Sequence, residues 1–171
     1  QEIFEEIIDK KEATATNSSK AYTLTNLGML YKTIGEYDLA ESHLRKALSL
    51  YEKEYGENHV FYANSANQLG LLYMKMGNTK AAKPLFENAL KTFEQAHTKK
   101  HPDYASSLEN LATLYYMEGN APKSKELLEE ALEIDRQVLG TEHPLYSKTL
   151  HNLASTLEEL GEYERASRLY E

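Results

Sequence analysis

Apolar residues recur along this chain in steps of three and four: Leu24, Leu27, Leu30, Tyr31 and Ile34, then, beyond Gly35, Leu39, Ala40, Leu44, Ala47, Leu48 and Tyr51. That spacing gathers them on one face of a helix and leaves the polar residues on the other, so it predicts two amphipathic helices separated by a glycine. The pattern then repeats. A step of 42 residues from Leu27 reaches Leu69, Leu111 and Leu153, and the same step from Gly35 reaches Gly77, Gly119 and Gly161. The small residue after the leucine returns as Gly28, Gly70, Ala112 and Ala154, and Tyr31 returns as Tyr73 and Tyr115 before giving way to Leu157. A fixed period of this length marks stacked helix-pair units, each burying its apolar face against the next. The expected units are 19–57, 60–99, 102–141 and a truncated 144–171, with residues 1–12 as the second helix of a preceding unit. On this register the chain is expected to be a piece of a longer array, with Ile3, Phe4, Ile7 and Ile8 at one end and Leu169 and Tyr170 at the other left as sticky apolar faces.

Position explains the punctuating residues. A glycine between the two helices supplies the left-handed backbone at a helix C-terminus. The Gly/Ala at 28, 70, 112 and 154 lets the paired helix approach closely, and Tyr31, Tyr73 and Tyr115 fall on the core stripe. His59, His101 and His143 recur at the joints one per unit, too far apart to share a metal, and belong at the start of each first helix. Pro102 and Pro144 suit the first turn there. Pro84 lies inside a second helix, where the lost N–H and the ring clash predict a kink.

Leu, Gly/Ala and Tyr, then Gly, Ala and a large apolar residue, in this order and four times over, resemble the tetratricopeptide repeat (TPR). The usual unit is ~34 residues. The longer unit here, with joints reading YGENHVFYA, HTKKHPDYA and LGTEHPLYS, is similar to kinesin light chain-type repeats. The resemblance covers the whole chain and implies an all-α fold, a right-handed superhelical solenoid of antiparallel helix pairs. It also implies a concave groove lined by positions flanking the Leu-Gly pair.

Composition narrows the function. With 41% hydrophobic and 27% charged residues the chain has an ordinary globular make-up, and no apolar run is long enough to span a membrane. The absence of cysteine excludes disulfides, thiolate metal sites and thiol nucleophiles and fits a cytoplasmic setting. A formal charge of −8 without a basic cluster argues against nucleic acid as partner. Adjacent carboxylates such as Glu129 and Glu130 point in different directions on a helix, and Ser42 with His43 lacks a third member of a triad. The glycines are isolated and make no phosphate loop. The chain is therefore expected to be neither an enzyme nor a cofactor protein.

What remains is a surface for a protein or peptide partner. Carried over from the TPR resemblance, the groove positions of the first unit are Tyr22, Thr25, Asn26, Met29, Lys32 and Thr33. Those of the second are Asn64, Asn67, Gln68, Leu71, Met74 and Lys75. The third unit offers Ser106, Glu109, Asn110, Thr113, Tyr116 and Met117, and the fourth Lys148, His151, Asn152, Ser155, Glu158 and Glu159. Within this set Asn26, Gln68, Asn110 and Asn152 form an amide ladder, one rung per unit, able to bond the N–H and C=O groups of an extended peptide. Basic residues are few, whereas Met and Tyr supply adaptable apolar contact for an extended or partly helical peptide with apolar anchors and some basic residues. These features predict an adaptor or scaffold module within a larger protein. The alternative is a self-associating or regulatory array that controls a fused domain, with homo-oligomers formed through its exposed ends.

Overall fold

The computed structural model describes residues 16–97 and 99–170, and the helix expected over 1–12 lies outside them. Eight helices account for the regular structure of the described residues. They run α1 (Asn17–Ile34), α2 (Tyr37–Tyr55), α3 (Val60–Lys75), α4 (Thr79–His97), α5 (Pro102–Met117), α6 (Ala121–Val138), α7 (Pro144–Glu159) and α8 (Tyr163–Leu169). The all-α expectation holds, and the boundaries follow from side-chain chemistry at each end.

At the start of α3, α5 and α7 the Nδ1 atoms of His59, His101 and His143 accept the N–H of Phe61, Asp103 and Leu145, each at 3.2 Å. The recurring histidines are thus N-caps, satisfying an amide that the first turn leaves unbonded. Pro102 and Pro144 open their helices, where a missing N–H costs nothing. At the other end Gly35 adopts φ 87° and Gly77 φ 75°. The amide after each glycine reaches back across the turn, from Glu36 to the Tyr31 carbonyl at 2.9 Å and from Asn78 to that of Tyr73 at 2.8 Å. Asn120 and Glu162 do the same to Tyr115 and Leu157. The helices therefore stop in a hydrogen-bonded left-handed turn that sends the chain back antiparallel. Pro84 sits within α4, which continues past it to the same 19-residue length as α2.

Each first helix packs along its second helix, and a cluster running from Leu27 to Ala166 forms most of the core, with Ala21, Ala47 and Tyr51 in a smaller one. Close packing in the first two pairs depends on glycine: a β-carbon on Gly28 would lie 2.5 Å from Leu44 Cγ, and one on Gly70 2.5 Å from Phe86 Cε1. Tyr31 and Tyr73 are buried in that core. Tyr115 is half-buried beneath Lys83, whose Nζ lies 4.5 Å from the ring centre.

Curvature follows from an asymmetry in the stacking. Among the described residues, α1 meets α3, α3 meets α5 and α5 meets α7 within the 8 Å Cα distance, whereas consecutive second helices do not. The first helices close up while the second helices splay apart, so α1, α3, α5 and α7 line the inner face of a curved stack.

Candidate groove on the first helices

Among the described residues, cavities open on the inner face at two places. The larger, of about 580 Å³, lies between α1 and α3 and is lined by Tyr22, Asn26, Met29, Asn64 and Gln68, with Tyr51 and Phe61 at its apolar wall. The smaller, of about 290 Å³, lies between α5 and α7, with Thr113, Asn152 and Ser155 in its lining together with Tyr116 and His151. Three of the four amide rungs thus face cavities, and Asn26 and Gln68 share one. The fourth, Asn110, is half-buried on α5 and lines neither.

Local bonds shape what these groups offer. Gln68 Oε1 accepts from Lys32 Nζ at 3.0 Å, which ties α1 to α3 and leaves the carboxamide N–H groups to donate. Burial, with Lys75 nearby, holds the Lys32 ammonium below its ordinary pKa. Thr33, Thr113 and Ser155 donate to the backbone carbonyls of Met29, Glu109 and His151, four residues earlier, so their hydroxyls keep only acceptor capacity towards a ligand. Tyr22, Met29, Tyr116 and Met117 present 65%, 39%, 40% and 50% of their surface, an unusual concentration of large apolar groups along one face. Leu71 and Ser106 are half-buried, while Lys75 and Lys148 are exposed.

Of the residues that precede the first three rungs, Asn67 and Glu109 behave differently from expectation. Asn67 does not line the groove: it is buried, and its Nδ2 donates to Ser107 Oγ at 3.1 Å. Thr25 lines the larger cavity and also meets the neighbouring first helix, with its hydroxyl 2.8 Å from that of Ser65. Glu109 is buried and accepts from Thr149 Oγ1 and, at 2.6 Å, from Lys148 Nζ. These pairs have one cause. The first helices are so close that position 25, 67 or 109 faces position 65, 107 or 149 across a narrow seam, where a polar group shielded from water needs a partner. Adjacent helix positions lie about 100° apart, so the next residue, Asn26, Gln68 or Asn110, turns towards the groove.

The seams between successive pairs carry a further tie. Tyr73 OH donates to Glu41 Oε1 at 2.7 Å and accepts from Arg45 at 2.6 Å, while Arg45 Nε donates to Glu41 at 2.7 Å. Burial and the Glu41 hydrogen bond push the Tyr73 phenol up to about 12. Sequence reasoning missed Tyr51 and Phe61 as cavity walls, since Tyr51 reads as the core stripe of a second helix and Phe61 lies just beyond the joint. The cue was the aromatic clustering of Tyr51, Tyr55, His59 and Phe61 around one turn, whose rings stand within 6.4 Å of a neighbour.

The tetratricopeptide repeat profile matches residues 19–95, 61–137 and 105–171, overlapping windows that span nearly all of the chain. The chain belongs to the tetratricopeptide repeat family. Its fold is that of TPR solenoids. BtubC (BKLC) from P. vanneervenii superposes with a TM-score of 0.86 at 22% identity, over 99% of this chain and 71% of that one. The kinesin light chain TPR-like repeats from Podosopora anserina give 0.78 at 23% identity, over 99% and 81%. A Rap protein complexed with competence and sporulation factor gives 0.84 at 16% identity, over 98% of this chain but 45% of that one. No curated protein sequence matches the chain. TPR arrays are typically interaction scaffolds without catalytic function, and among the described residues no group of three or more His, Cys, Asp or Glu is placed to hold a metal. Nor is any described helix long and apolar enough to cross a membrane.

Proposed function

We propose that the chain is a protein-interaction module that holds an extended or partly helical peptide along its inner face. The observation carrying this reading is the cavity between α1 and α3, where amides from two consecutive first helices, Asn26 and Gln68, share a space with the exposed Tyr22 and Met29. Amides on the rim bond a ligand backbone without reading its sequence, and the aromatic and Met walls accept an apolar anchor. Asn110 and Asn152 continue the path towards the second cavity. The Rap protein solved with competence and sporulation factor shares the fold and lends support to a partner-binding role.

Peptides selected from a random displayed library on the 171-residue chain test the proposal. Side-chain amide signals of Asn26, Gln68, Asn110 and Asn152 should shift in NMR spectra on adding a selected peptide. Shifts confined to α2, α4 and α6 would overturn it. Concentration-dependent mass without peptide in sedimentation would favour a self-associating array instead.

A further inference from the structure

The seam between α5 and α7 departs from its counterparts. At the other two, the partners are neutral: Thr25 with Ser65, and Asn67 with Ser107. Here Glu109 stands in the register of Thr25 and Asn67 and faces Thr149. A second departure adjoins it. The register that buries Tyr51 in α2 and Phe93 in α4 carries Asp135 in α6, and Asp135 is 2% exposed. Two carboxyl groups from α5 and α6 therefore converge on one hydroxyl of α7.

Thr149 is fully buried. Its Oγ1 lies within hydrogen-bond distance of Glu109 Oε1, is 2.8 Å from Asp135 Oδ2 and is 3.1 Å from the Leu145 carbonyl. A hydroxyl has one proton, and a carboxylate and a carbonyl have none to give. With both acids ionised, at least two of these three contacts would bring acceptor against acceptor in a dry seam. A single added carboxyl proton satisfies both carboxyl contacts and leaves only the Leu145 carbonyl, the most distant of the three at 3.1 Å, without a proton of its own. Glu109 Oε2 accepts from Lys148 Nζ at 2.6 Å, which marks Glu109 as the ionised member. Among the described residues, Lys148 pairs with Glu109 and no cation stands within ion-pair distance of Asp135.

We propose that Asp135, Thr149 and Glu109 share one carboxyl proton, and that this proton locks α7 onto α5 and α6. In the locked state Asp135 donates to Thr149 Oγ1, Thr149 donates to Glu109 Oε1, and Glu109 accepts from Lys148. Loss of the proton to solvent leaves two carboxylates competing for one O–H and loosens the joint. The titratable groups facing Asp135 are Glu109 from α5, and Lys148 and His143 from α7 and its N-cap. Burial, the largest influence, raises the Asp135 pKa and the Glu109 charge adds to the rise, while the Thr149 bond, His143 and Lys148 oppose it. A carboxyl raised in the folded state contributes stability fully present below its unfolded pKa and lost as pH rises through the folded value.

Carboxyl-carbon NMR on the whole 171-residue chain reads the Asp135 titration directly. Its midpoint should lie above the ordinary aspartate value of about 3.9, and should fall in Glu109→Gln, which removes the like charge. Thermal melts of wild type and Asp135→Asn should diverge as pH rises from the ordinary aspartate value of about 3.9 towards neutrality, the wild type losing Tm relative to the variant. Protection of the α7 amides from hydrogen exchange, taken relative to the intrinsic rate at each pH, should fall over the same range. An Asp135 midpoint at or below the ordinary value overturns the proposal, whether or not Asp135→Asn folds. So does a Tm difference independent of pH, which marks Asp135 as merely structural.

Discussion

At Gly70 the spacing between two helices is decided by the absence of one carbon. Phe86 fills the place a side chain would take, with its ring atoms 2.5–2.9 Å from an added β-carbon, and the phenyl ring is wholly buried. Gly70→Ala should cost about 1–3 kcal/mol by overpacking, read from urea denaturation of the two chains. An unchanged midpoint would mean that Phe86 shifts freely. Tyr73 offers a second test at this scale. Its phenol is raised to about 12, so the stability it contributes is present below the ordinary tyrosine pKa of about 10 and lost as pH rises through about 12. Phenolate absorbance of wild type minus Tyr73→Phe should rise with a midpoint near 12. A difference centred in the ordinary range would show that the hydroxyl is free of Glu41.

Between elements, polar pairs join neighbouring first helices at a constant separation of 40 residues, at 25–65, 67–107 and 109–149. Asn67→Ala removes the Nδ2 bond to Ser107 and should cost about 1 kcal/mol. Thr33→Ala, on the exposed surface, should stay within about 0.5 kcal/mol. Equal losses in the two variants would contradict the seam. The helices themselves were legible in the sequence because a 42-residue period and a three-four spacing are properties of one chain segment repeated. The glycine turns, the histidine caps and the close-approach glycines were legible for the same reason, since each is decided within one unit or its joint. The seam was not. Whether Asn67 or Gln68 faces the groove depends on how one pair is rotated against the next, which no single unit encodes. Asn67 therefore read as a groove residue until the packing of α3 against α5 turned it inward.

Taken whole, the molecule is a curved stack whose inner face is polar at the rungs, apolar between them and sparing in free charge. Lys148 is engaged by Glu109, and Lys32 is bonded to Gln68. Peptide affinity should accordingly change only modestly between low and physiological salt, because attraction screened over the Debye length of about 8–10 Å contributes little. A steep salt dependence would point to Lys32 and Lys75 as the principal contacts. The central claim is that the amide rungs grip a ligand backbone, and calorimetry on the Gln68→Ala, Asn110→Ala double variant tests it most directly. Each lost hydrogen bond is worth about 0.5–1.5 kcal/mol, so a selected peptide should bind roughly tenfold more weakly than to wild type while the Tm stays close. Equal affinity for the two folded chains would contradict the account and move the binding surface off the inner face.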